Sequence, residues 1–132
     1  MTEEEARKIA EPVVEGVVNC MAEKNYAEIE KYAAFCDDMI PRDVFIDAAE
    51  DYLVDNGLDC YDRYGAPNNF KPQYDISLYH QLEIYVYDNG TGFGAEYDLT
   101  TNGELNDLTL MLEFRPDENG VLQPYIEDIH VL

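Results

Sequence analysis

Basic residues are scarce in this chain. Lys and Arg number 8 against 29 Asp and Glu in 132 residues, a formal net charge of −21. A surface so poor in cations repels phosphate backbones, anionic lipid and negatively charged cofactors at long range, which excludes nucleic acid and membrane as expected partners. A basic protein remains, or no partner and a well-solvated surface. Cysteine is sparse as well. Cys20, Cys36 and Cys60 are isolated, odd in number and share no short spacing. They suit neither a disulfide framework nor a zinc site, and read as small core residues of a protein in a reducing compartment. No apolar run approaches the roughly 20 residues of a membrane span. The opening Met-Thr-Glu-Glu-Glu is acidic where a signal peptide is basic, so the expectation is a cytoplasmic protein.

Motifs that carry chemistry are missing too. Gly90-Thr91-Gly92-Phe93-Gly94 lacks the third spacing of a dinucleotide fingerprint, has no helix after it and no Lys nearby, and reads as a hairpin turn. The sequon Asn89-Gly90-Thr91 belongs to the same turn chemistry. Asp55-Asn56-Gly57-Leu58-Asp59 and Asp117-Glu118-Asn119-Gly120 fail the alternating ligand spacing of a calcium loop. The expectation is no metal and no cofactor.

What is present is a foldable pattern. Residues 1–65 have a net charge of −11 and residues 66–132 one of −10, so the acid is not a tail. Eleven Tyr and five Phe support a packed core. A chain of about this length buries roughly 70% of its unfolded surface, enough for one domain spanning 1–132.

The first half has helical periodicity. Thr2 and Glu5 are spaced as a capping box, with Glu3 and Glu4 where a helix N-terminus favours negative charge. Ala6, Ile9, Ala10, Val13, Val17 and Met21 form the apolar stripe, which Pro12 should kink or divide and Gly16 weakens. A short helix is predicted from Asn25, as cap, to Phe35, with Ala27, Ile29, Tyr32 and Ala33 as its apolar positions. A third opens with Pro41 in its first turn, turns Phe45, Ala48, Ala49, Tyr52 and Leu53 inward and stops at Asn56-Gly57. Gly65-Ala66-Pro67-Asn68-Asn69 signals a loop.

The second half alternates. Leu82, Ile84 and Val86, then Phe93, Ala95, Tyr97 and Leu99, then Leu108, Leu110, Leu112 and Phe114 mark one face of three strands, with a fourth from about Val121 to Leu132. Short turns make neighbouring strands antiparallel. Helices first (about 2–64) and strands after (about 74–132) predict an α+β domain, the helices covering one face of an antiparallel sheet.

That element order resembles the nuclear-transport-factor-2-like superfamily, a cone-shaped α+β fold. The resemblance is carried by Met21-Ala-Glu-Lys-Asn-Tyr-Ala-Glu-Ile-Glu-Lys-Tyr32, similar to that fold's first helix and the short helix after it, and by the closing Tyr125-Ile-Glu-Asp-Ile-His-Val-Leu132. The ending looks like that of small uncharacterised bacterial members. The resemblance implies a curved sheet wrapped on helices and, in some members, sheet-to-sheet dimers or a catalytic cone interior. The fold by itself implies no function.

Strand parity points to two candidate sites. If Leu82, Ile84 and Val86 face inward, His80 shares their face; if the last strand is regular with Ile126 inward, Asp128 and His130 follow. A carboxylate and two imidazoles at one cavity would serve as general base and orienting group. Ile129 and Val131 compete for the inner face, and a bulge would turn His130 outward. On the opposite face, Tyr85, Tyr87 and Met111, edged by Glu83, Asp98 and Glu113, have the composition of a partner or dimer interface, or of cross-strand pairs that stabilise the sheet alone. The leading expectation is a non-enzymatic homodimeric binding protein that engages a basic protein, in its most concrete form an immunity- or inhibitor-type protein. The alternative is a small-molecule-binding protein or isomerase- or dehydratase-like enzyme using the cone, with plain solubility as a further use of the charge.

Overall fold

A computed structural model describes residues 1–65 and 80–131. The loop signal after Gly65 and the expected start of the sheet near residue 74 lie outside them. The chain forms α1 (Glu3–Ala22), a 3-10 helix (Tyr26–Lys31), α2 (Arg42–Asp55) and strands β1 (Leu82–Val86), β2 (Phe93–Thr101), β3 (Glu104–Pro116) and β4 (Leu122–Val131). The strands pair antiparallel in the order β1-β2-β3-β4. This is the α+β arrangement the two periodicities predict.

The first helix begins as expected. The Thr2 hydroxyl accepts from the Glu5 amide at 3.1 Å, and the Glu5 carboxylate accepts from the Thr2 amide at 3.3 Å. Pro12 does not divide it. Pro12 and Lys8 are both exposed, so the carbonyl that loses its amide partner can turn to water. The buried stripe is rotated from the predicted one: Val14 and Val18 are fully buried and Ile9 is 40% exposed. Gly16 is buried for a reason its helix propensity does not suggest. A Cβ there would run into the ring of Tyr32, which lies against the helix backbone. The predicted second helix is reduced to six residues of 3-10 helix, and the Asn25 side chain makes no cap bond. Ile29 and Ala33 are its inward residues, with Tyr32 42% exposed. In α2, Phe45, Ala49 and Leu53 are buried as expected, and Pro41 stands one position earlier than predicted, as N-cap.

Register shows how one face of the sheet becomes the core. Ile84, Ala95, Leu112 and Ile126 form one continuous row across all four strands. Leu82, Tyr97, Leu110 and Ile129 form the next. All eight are buried, and α1 packs on the β1–β2 side while α2 packs on β4. Phe93 and Phe114, cross-strand neighbours, stack with ring centroids 4.4 Å apart. Burying each such ring contributes on the order of 2–3 kcal/mol.

A strap over residues 58–65 ties the helices to the sheet. The Tyr61 hydroxyl donates to the Ala49 carbonyl on α2, and the Tyr64 amide donates to Asn19 on α1 at 2.8 Å. Tyr64 stacks on Tyr97, whose hydroxyl accepts from the Gly65 amide at 3.0 Å. The Asp62 carboxylate accepts from the amides of Asn102 (3.1 Å) and Gly103 (2.9 Å) and from the Thr100 hydroxyl (2.9 Å). Asn102 and Gly103 both have positive φ, as a tight two-residue hairpin turn requires. Asp62 therefore caps the β2–β3 turn from outside the sheet.

Gly16→Ala should destabilise the fold by about 1 kcal/mol, because displacing the Tyr32 ring outweighs the gain in helix propensity. In a Tyr32→Ala background the same substitution should stabilise by up to about 1 kcal/mol. Urea denaturation of the four proteins measures this, and an effect of the same sign in both backgrounds would show that the ring is not the constraint. Asp62→Ala should cost about 2 kcal/mol and Asp62→Asn less, since the amide keeps one acceptor oxygen. Equal losses in thermal melts would contradict the capping role.

Candidate functional site

The parity of β4 decides where the candidate catalytic residues go. Met111 pairs with Asp128, but Leu112 pairs with Ile126, so Glu127 is an extra residue in β4. This bulge lets Ile126 and Ile129 both face the core, 0% and 5% exposed, where a regular strand could bury only one. Its consequence corrects the expectation of an inward Asp128 and His130. Their side chains are 48% and 39% exposed and point to the outer face. The carboxylate and imidazole do meet, with Asp128 Oδ2 3.6 Å from His130 Nδ1, but on the side of the sheet away from the helices. His80 is exposed ahead of β1 and does not line the interior either. Among the described residues, the inward rows of the sheet contain no Asp, Glu or His. Tyr61, Tyr97, Phe45, Phe93 and Phe114 fill the space between sheet and helices. The cavity chemistry expected of these three residues has no place there.

The other predicted group is brought together. Tyr85, Gly94, Glu113 and Tyr125 form one outward row across the four strands. Glu83, Glu96, Met111 and Asp128 form the next, and Asp98, Thr109 and His130 continue the face. Tyr85 is 49% exposed, while Tyr87 and Met111 are half-buried. A Cβ on Gly94 would stand 3.3 Å from the Tyr87 hydroxyl, so Tyr87 folds over the glycine and covers it. Tyr125 stands on the same row, a position that only the register of β4 reveals.

The electrostatics of this face are one-sided. Glu83 stands directly opposite Glu96. Like charges in that position destabilise a sheet, by up to about 1 kcal/mol. Among the described residues, neither is paired with a Lys or Arg. Burial and then the neighbouring Glu113, Glu96 and Asp128 carboxylates push the Glu127 carboxyl above its ordinary value, and Arg115 opposes them only in part. Burial and the surrounding carboxylates likewise raise the phenols of Tyr85 (Glu96, Glu83, Asp98) and Tyr87 (Glu113, Glu127). Arg115 is the only Lys or Arg among residues 80–131. It belongs to this face, where its Nη2 lies 3.0 Å from Asp38, its Nε 3.3 Å from Glu113, and its guanidinium carbon 5.9 Å from the Tyr125 ring centroid. Asp38, held below the ordinary carboxylate range by the Cys36 thiol and by Arg115, comes from the segment that runs beside β4. That segment is zipped to the strand by bonds from the Ala34 amide to Pro124 and from the Ile40 amide to Glu127.

No group of three or more His, Cys, Asp or Glu with the geometry of a metal site occurs among the described residues. None of their helices is long and apolar enough to cross a membrane.

The raised Glu127 carboxyl has a measurable consequence. Its folded state favours the proton, so its contribution to stability is fully present below the ordinary glutamate value of about 4.5 and is lost as pH rises through the folded pKa. Glu127→Gln should therefore stabilise the protein at neutral pH, by up to about 1 kcal/mol, and the gain should vanish in acid. Thermal melts across pH check this; a gain that persists below pH about 4 would rule out the charge explanation.

Residues 18–132 match the family model for a domain of unknown function (DUF7668), and the chain belongs to that family. The outer sheet face lies wholly within the matched residues, and most of α1 lies outside them. No curated protein and no solved structure matches the chain.

Proposed function

We propose that this DUF7668 domain is a non-enzymatic binding module that takes a basic protein on the outer face of its sheet. The observation that carries this reading is the Glu83–Glu96 pair, which no described Lys or Arg joins, beside the exposed Tyr85. A sheet that holds like charges opposite each other, at a cost to its own stability, is relieved when cationic side chains arrive. Aromatic rings and a methionine among the carboxylates supply apolar contact once water leaves. An immunity- or inhibitor-type protein that masks a positively charged enzyme is the concrete form, since steering by opposite charge speeds such an encounter. The homodimer expected through this face is the weaker fit. Apposing two copies would bring Glu83, Glu96, Asp98, Glu113, Glu127 and Asp128 of each against the same set.

We further propose the nuclear-transport-factor-2-like cone as the fold. Supporting it are the order of a long helix, a short helical turn and a second helix, followed by an antiparallel meander with the helices on its inner face. A cytoplasmic location belongs to the same proposal, in keeping with three free cysteines.

Two variants with equal change of charge separate a site from a merely acidic surface. Glu83→Gln/Glu96→Gln/Glu127→Gln should weaken binding of a short Arg/Ser-alternating peptide about tenfold or more by calorimetry. Glu4→Gln/Glu11→Gln/Glu15→Gln on α1 should change it no more than about twofold. Binding of the parent protein should also fall as salt rises. Equal losses in the two variants, or binding indifferent to salt, would overturn the proposal.

A further inference from the structure

We infer that the partner engages this face through arginine rather than lysine, with a guanidinium group seated on Tyr85 between its flanking carboxylates. This rests on the outer face being the binding surface and specifies what binds there. The structure contains one worked instance of the contact. Arg115 lies over the Tyr125 ring at 5.9 Å, with Asp38 on one side and Glu113 on the other. Asp38 takes both terminal nitrogens, at 3.4 and 3.0 Å, the fork geometry that a guanidinium offers and an ammonium does not.

The same combination occurs at Tyr85 without a Lys or Arg from the described residues, and at Tyr87 within reach of Arg115. Tyr85 stands beside Glu83 on its own strand and Glu96 on the next. Tyr87 has Glu113 and Glu127 as its acidic neighbours, so Glu113 is shared with the Arg115 arrangement. Tyr85 and Tyr125 close the two ends of one cross-strand row, and between them the Tyr87 hydroxyl lies over Gly94. An arginine-bearing segment laid across the strands would meet ring, carboxylate and ring in succession. A lysine ammonium would meet the same charges, but it forms no planar stack and keeps its hydration more strongly.

The test uses the full chain and two short peptides of equal length and charge, one alternating Arg and Ser and one alternating Lys and Ser. The Arg peptide should bind about tenfold more tightly than the Lys peptide. Tyr85→Phe should keep that ratio, because the ring remains, and Tyr85→Leu should lower it to about threefold or less. Equal affinities for the two peptides, or a ratio unmoved by Tyr85→Leu, would overturn the arginine inference. If in that case the Glu83→Gln/Glu96→Gln/Glu127→Gln variant still loses affinity selectively, the binding face itself stands. If that variant binds both peptides as the parent does, both the face and the inference fail.

Discussion

The structure depends on the burial of one sheet face against α1 and α2. The cross-strand rows Ile84–Ala95–Leu112–Ile126 and Leu82–Tyr97–Leu110–Ile129 are continuous apolar strips, and each strand contributes one member to each. Residues of opposite parity must then face out. The position of nearly every charge in the second half follows from that requirement, because side chains in a strand alternate with a period of two. The strap residues Tyr61, Asp62 and Tyr64 hold the same seam closed from its end, by bonding α2, the β2–β3 turn and α1.

The bulge at Glu127 is the point where this burial and the surface chemistry meet. Two isoleucines three residues apart both reach the core only if the strand gains a residue between them. The cost is a half-buried carboxylate placed among three others. Hydrophobic burial of Ile126 and Ile129, on the order of 2 kcal/mol each, outweighs the like-charge cost of up to about 1 kcal/mol. The acidic outer face is thus partly a by-product of how the core closes.

Much of this could be read from residues alone. The Thr2–Glu5 capping box, the inward Phe45, Ala49 and Leu53 of α2, the antiparallel meander and the shared face of Tyr85, Tyr87 and Met111 all follow from local spacing. What misled was information that spacing does not hold. Asn25 looks like a helix cap, yet the residues after it form only a 3-10 turn. Gly16 looks like a defect until the Tyr32 ring is placed against it. His80, Asp128 and His130 look like one cavity's catalytic set, and the fold turns the last two outward and leaves the first exposed.

Element types, the two strand faces and the surplus of negative charge are legible in the residues alone, because each is written in short-range periodicity or composition. Which carboxylates stand together is set by the folded chain. Glu83 meets Glu96, Asp38 reaches Arg115, and Glu127 sits among Glu96, Glu113 and Asp128 through strand register and one inserted residue. Register is a cooperative choice of the whole core, made to bury Ile126 and Ile129 together, and no local run of residues records it.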